Sequence, residues 1–395
     1  MFELNAQDRQ AMTAFLQDLV RIPSYSTQEK EIATRLLAEM KRVGFENVYL
    51  DRIGNVVGRI GPATGRTLLY NGHLDVVGVG DPATWQHDPF AADIQDGILY
   101  GRGASDMKAA LAAMVYGGKA LLDRGLTLHG PLYLVGIVQE EPCEGLGMRV
   151  LLEQEGLLPD YVVLGEATNL QISRGQRGRM EIKVVARGQS CHASAPHLGD
   201  NAIYTAARLI FGIELLSRQL GQDRFLGPGT LAVTHIENTA GSRNVVPDSC
   251  TFYIDRRLTI GETEAKAMAE IQNILLREGA DASASVSEYN SVSFTGYRAK
   301  ARAYYPAWAL DRDHPLVRQV SKAIRAELGY RPAICKWDFS TDGAYTMGVA
   351  GIPTVGFGPG EEKHVHTIHD QVRIADVARA AQGYARIATE ILGQI

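Results

Sequence analysis

Along most of this chain, short apolar runs alternate with amphipathic helices. That alternation restricts it to an α/β layer built on a largely parallel sheet. The strand-like runs are Thr67–Tyr70, Ile98–Tyr100, Pro131–Val138, Tyr161–Leu164 and Ile352–Phe357. A first helix carries Met12, Phe15, Leu16 and Leu19 at helical spacing and is stopped by Pro23. A second is expected to start at a capping box, Ser26 to Glu29, to bury Ile32, Leu36, Met40 and Val43, and to end on Gly44. Others are expected from Ser105 to about Leu122, over about 315–328, and at the end of the chain, where Ile374, Val377, Ala381, Tyr384, Ala388 and Ile391 share a face.

The pattern breaks once. Met180–Ala186, Thr230–His235 and Thr251–Leu258 read as strands, with one helix starting near Asp200 (Ile203, Ala207, Ile210 and Ile213 inward) and one near Thr263. The organisation expected is therefore a catalytic unit of residues 1–179 and 294–395, interrupted by an α+β lid or dimerisation domain at 180–293. A length of 395 residues suits two domains. A net charge of −5 gives no sign of nucleic-acid binding or of a polybasic membrane anchor. The four cysteines lack metal-ribbon spacing, the first residues lack the pattern of a signal peptide, and no stretch is apolar enough to span a membrane. A cytoplasmic location is expected.

Acids and histidines fall where those strands end. His73 and Asp75 follow one run, Asp106 follows another, Glu140 and Glu141 a third, Glu166 a fourth, and His366 follows the last across a Gly-rich loop. In open α/β sheets ligands bind beyond the carboxyl ends of strands. Singly, each group has an ordinary explanation: a satisfied turn, a solvated surface pair, an acid in a helix's first turn. Together, so many carboxylates at one rim would repel one another unless positive charge lay among them. One or two divalent metals would resolve the conflict, and imidazole with carboxylate suits zinc, cobalt or manganese. Two metals need a bridging carboxylate and lower the pKa of a shared water, giving hydroxide at neutral pH. A neighbouring carboxylate that is not a ligand can then move the proton. Asp75, two residues after His73, would point to the same side and orient its imidazole.

The segments NGHLDVV (71–77), WQHDPF (85–90), DGILYGRGASDMKAA (96–110), the pair at 140–141, LGEAT (164–168) and HTIHD (366–370) resemble the di-zinc acylases and exopeptidases. That family includes acetylornithine deacetylase, succinyl-diaminopimelate desuccinylase, aminoacylase and glutamate carboxypeptidase. The resemblance implies that His73, Asp106 and Glu166 hold one metal and that Asp106, Glu141 and His366 hold the other. It implies Glu140 as general base and then acid, and Asp75 as the carboxylate behind His73. In the lid it implies that His192 of SCHASAP reaches the site across a homodimer to stabilise the oxyanion. Asn244 of NVVPD would lie near the substrate, and Arg257 would grip its carboxylate as a bidentate fork. The implied reaction is amide hydrolysis of an N-acyl amino acid by metal-bound hydroxide. A dipeptidase or carboxypeptidase is the alternative within the family, and a catalytically silent binding protein the alternative outside it.

The chain departs from the family pattern in places. Pro142-Cys143-Glu144-Gly145 follows the Glu pair where small residues are usual, and HTIHD offers His369 as a rival to His366. Glu at 166 goes with deacylases and carboxypeptidases, and SRGQRGRMEI with GDNAIY is similar to a selenium-metabolism-linked subgroup. Arg174, Arg177 and Arg179 would either read an anionic substrate or pair with surface acids. Cys191 is expected to be a small buried side chain rather than a nucleophile. The FGPG at 357–360 is expected to let backbone approach the site.

Overall fold

The computed structural model describes residues 2–393. Its main sheet has nine strands. The order across it is Glu46–Leu50, Val56–Ile60, Leu132–Ile137, Leu68–His73, Tyr161–Leu164, Thr354–Gly356, Ile172–Gln176 and Trp308–Ala309, with Ile334–Trp337 also paired to Ile172–Gln176. The four central strands, from Leu132–Ile137 to Thr354–Gly356, run parallel. They are almost wholly buried, which is why they read as apolar runs without alternation. The chain leaves Leu68–His73, passes through helix Ala109–Asp123 to Leu132–Ile137 on one side, then through helix Leu146–Glu153 to Tyr161–Leu164 on the other. The order reverses at Leu68–His73, so a crevice opens beyond the carboxyl ends of these three strands.

A second, antiparallel sheet runs Thr230–Asn238, Ser249–Leu258, Gly178–Arg187, Ala282–Val286. Its strands alternate: Met180, Ile182, Val184, Phe252 and Ile254 point inward against helices Ala202–Ser217 and Glu264–Arg277 and form a core separate from the first. Among the described residues no helix is long and apolar enough to cross a membrane.

Several expectations change. The second helix is Lys30–Val43, and Ser26 does not cap it; its hydroxyl donates to Asp75 Oδ2 at 2.7 Å. The helix expected from Ser105 begins at Ala109, and Asp106 precedes it at φ −128°, ψ 94°. Asp106 is therefore not a first-turn acid favoured by the helix dipole. Ile98–Tyr100 lies outside the main sheet, in a small sheet with Ile94–Gln95 and Gln371–Arg373. Helix Ala202–Ser217 buries Ala202, Thr205, Ala206, Leu209 and Ile213, leaving Ile203 and Ala207 exposed. That helix is apolar on two faces, so periodicity alone could not choose between them.

Candidate metal centre and active site

His73 closes the central strand Leu68–His73 and is fully buried. Its Nδ1 lies 2.9 Å from the main-chain carbonyl of Asp75, an acceptor that requires the proton on Nδ1. Nε2 thus faces the crevice, 2.9 Å from Asp106 Oδ1 and 3.7 Å from Glu166 Oε1. On the other side of Asp106, Oδ2 lies 3.2 Å from His366 Nε2, which is 2.9 Å from Glu141 Oε2. The ligand atoms within each triad, His73–Asp106–Glu166 and Asp106–Glu141–His366, lie within 4.8 Å of one another, and Asp106 is common to both.

Asp75 does not orient His73 through its carboxylate, which stands 3.9 Å from Nδ1. Instead Oδ1 and Oδ2 accept the main-chain N–H groups of Glu140 and Glu141 at 3.0 and 3.2 Å. Alternation along a strand predicts the side, not the partner. Asp75 fixes the segment that carries the Glu pair and offers its main-chain oxygen to the histidine.

The electrostatics show what the cluster needs. Burial, then neighbouring carboxylates, pushes Glu140 and Glu166 well above the usual carboxylate range, and burial with Asp106 raises Glu141. Burial alone would lower both imidazoles. Hydrogen bonds to Asp106 and neighbouring acids outweigh it, holding His73 well above its ordinary value and His366 at about 10. Asp106 is also penalised by burial, yet its bonds to His366 and His73 hold it well below the usual range. The carboxylates thus create a strong local demand for positive charge, and Glu140 Oε1 is buried with no partner among the described residues. A donor set of two imidazole Nε2 atoms and three carboxylates, sharing one carboxylate, fits divalent metal.

Asp106, Glu140, Glu141, Glu166 and His366 line a cavity of about 260 Å³ with Glu144, Arg179 and Arg257. Arg257 already grips Asp255 through Nε and Nη2 at 2.7 and 3.2 Å, so the fork expected for a substrate carboxylate has only its Nη1 side open. Of the arginine cluster, Arg179 lines the cavity, while Arg174 stacks on Phe225 and Arg177 pairs with Asp338. His192, on the ladder Cys191–His192 with Val245–Val246, and Asn244, just before it, are exposed and are not among the residues lining the cavity. Cys191 is only half-buried. His369 lies in a different cavity with Trp85 and His87, which leaves His366 at the carboxylates. A larger groove of about 900 Å³ beside Arg318 and Arg325 shares no residue with the cluster.

Sequence reasoning missed Asp342. It is buried, its carboxyl pushed to about 6 chiefly by burial, and it accepts from Asn71 Nδ2 and Gly145 N–H, tying the loop after the Glu pair to the central strand. It also missed Asp370, which takes the N–H groups of Gly103 and Ser105 and so joins the loop of Asp106 to that of His366. Asp370 was visible only as the last letter of HTIHD. Gly358 meets the expectation of close approach: a Cβ there would stand 2.1 Å from Gly165 O and 2.4 Å from Glu166 O.

The crevice at the sheet's switch point is walled by imidazole and carboxylate, and likeness to a peptidase family and to desuccinylases makes the chain a metallohydrolase acting on amide or peptide bonds. The profile of Peptidase family M20/M25/M40 matches residues 69–390, and the chain belongs to that family. It is 43% identical over 383 residues to the Escherichia coli (strain K12) protein named "Uncharacterized protein YgeY", covering 97% of this chain and 95% of that one. It is 30% identical over 396 residues to a succinyl-diaminopimelate desuccinylase of Cereibacter sphaeroides (strain ATCC 17023), covering 96% and 98%. Its fold superposes with a TM-score of 0.77 on the M20 family metallo-carboxypeptidase Sso-CP2 of Sulfolobus solfataricus, at 19% identity over 98% of this chain and 100% of that one.

Proposed function

We propose that this protein is a deacylase that hydrolyses the amide bond of N-acyl amino acids. The likeness to a desuccinylase supports an acyl amino acid over a longer peptide. His73, Asp106 and Glu166 would hold one divalent ion and Asp106, Glu141 and His366 a second, zinc by preference, with cobalt or manganese also suited. Bound there, the ions would polarise the amide carbonyl and acidify a water.

The rest falls to the chain's own groups. Glu140 lines the cavity beside the ligands, and its buried Oε1 has no partner among the described residues. That oxygen is the observation that carries the reading: it would take a proton from water and return it to the departing nitrogen. Burial raises the carboxyl's affinity for that proton. Asp75 keeps the Glu pair in place through its two amides. The Nη1 side of Arg257 would meet the substrate carboxylate.

His192 and Asn244 would act from the lid of a second copy, in a homodimer formed through residues 180–293. Support comes from the lid surface, where Ile203, Tyr204, Phe211 and Leu215 are exposed on one helix, beside Ile236 on a strand paired along one side only. The four unpaired cysteines suit a reducing, cytoplasmic setting.

The test is turnover of N-acyl amino acids and of dipeptides by metal-loaded protein and by Glu140→Ala. The expected result is preference for the acyl substrates, with a loss of about a thousandfold in kcat in the variant. Preference for dipeptides would favour the peptidase alternative, and unchanged turnover in the variant would remove Glu140 from the mechanism.

A further inference from the structure

Glu144 sits where the Glu pair is followed by Pro-Cys-Glu-Gly rather than by small residues. It is 8% exposed, lines the same cavity as Glu140 and Glu141, and is held on a fixed turn. Next to it Gly145 adopts φ +79° and donates its N–H to Asp342 at 2.7 Å. One oxygen of Glu144 is used: Oε1 accepts from Arg179 Nη1 at 2.9 Å. The other, Oε2, is buried with no partner among the described residues.

A carboxylate that served only to neutralise Arg179 would be expected to engage it with both oxygens as a fork. Arg179 instead divides itself, with Nε 3.6 Å from Asp255 Oδ2, and Asp255 in turn holds Arg257. The two arginines and two acids of this wall therefore balance one another while leaving one carboxylate oxygen buried with no partner among the described residues. An anionic acceptor beside further carboxylates is matched best by a cationic donor.

We infer that Glu144 is a specificity-determining residue that accepts a hydrogen bond from a substrate ammonium group. This rests on amide hydrolysis at the same cavity, by deacylase or peptidase, and narrows its substrates to amides that carry such a group. The ammonium has two chemical sources: the side chain of a basic N-acyl amino acid, or the α-amine of a dipeptide.

The experiment measures binding by calorimetry, using metal-loaded full-length Glu140→Ala protein so that nothing is turned over. The probes are Nα-acetyl-lysine, alanyl-norleucine, and Nα-acetylnorleucine, which lacks an ammonium. At least one ammonium probe is expected to bind about tenfold more tightly than Nα-acetylnorleucine, and adding Glu144→Gln is expected to bring that ratio close to one. The tighter of the two ammonium probes identifies the source. Equal affinity for all three, no binding of any, or a ratio that survives Glu144→Gln would each overturn the inference. Because binding is read without turnover, these outcomes are separate from loss of the deacylase reading, which the Glu140 turnover test decides.

Discussion

At the residue scale, several of the carboxylates that position the cluster are held by main-chain N–H groups. Asp75 is the clearest case: its carboxylate accepts two consecutive amides of the Glu pair and the hydroxyl of Ser26, and its carbonyl holds His73. Asp75→Ala would leave two buried N–H groups unpaired and free the segment carrying Glu140. The expected outcome is a loss of about 10–100-fold in kcat together with weaker metal retention, read by turnover and elemental analysis of the same sample. Full activity in that variant would show that the segment holds itself. The residues of this network were legible in part. His73, Glu166 and His366 could be placed because strand ends in such a sheet converge, whereas Asp106 follows a strand outside that sheet and was placed through the resemblance of its segment. The partner of Asp75 could not, because a hydrogen bond between residues 65 apart leaves no local signature. Asp342 was invisible for the same reason.

At the element scale, patterning was readable where one face only is buried. The last helix buries the face its spacing predicts, and helix Glu264–Arg277 buries Ala267, Ile271, Ile274 and Leu275. It failed at helix Ala202–Ser217, where two faces are apolar, and at the start of the second helix, where Ser26 serves Asp75. That second helix offers a test of pH dependence. Glu39 is 3% exposed; burial raises its pKa, but hydrogen bonds from Arg42, Arg35 and Tyr116 outweigh burial and lower it. A carboxyl whose folded pKa is depressed stabilises above its ordinary value of 4.5, and that stabilisation fades as pH falls through the folded value. Urea unfolding of Glu39→Gln is therefore expected to show a deficit of about 1–2 kcal/mol at neutral pH that narrows below pH 4.5. A deficit independent of pH would place the cost in packing.

At the scale of the whole molecule, two separate hydrophobic cores form, and the second begins near residue 180, where the strand-helix pattern of the sequence breaks. The sheet's antiparallel margin escaped notice, because the edge strand Glu46–Leu50 is exposed and weakly patterned and the buried strand Val56–Ile60 is a short run broken by Gly58 and Arg59. The proposed pairing of two lids is checked by sedimentation: a dimer is expected, and His192→Ala is expected to lose turnover without losing metal. A fully active monomer would contradict supply of His192 by a second copy. Beneath all of this lies one claim, that the acids and imidazoles at the switch point coexist because they bind cations. Elemental analysis of protein purified without chelator, followed by stripping and re-addition, tests it directly. The account expects about two divalent ions per chain, lost activity on stripping, and recovery with zinc, cobalt or manganese. Metal-free protein whose turnover no divalent ion alters would contradict it.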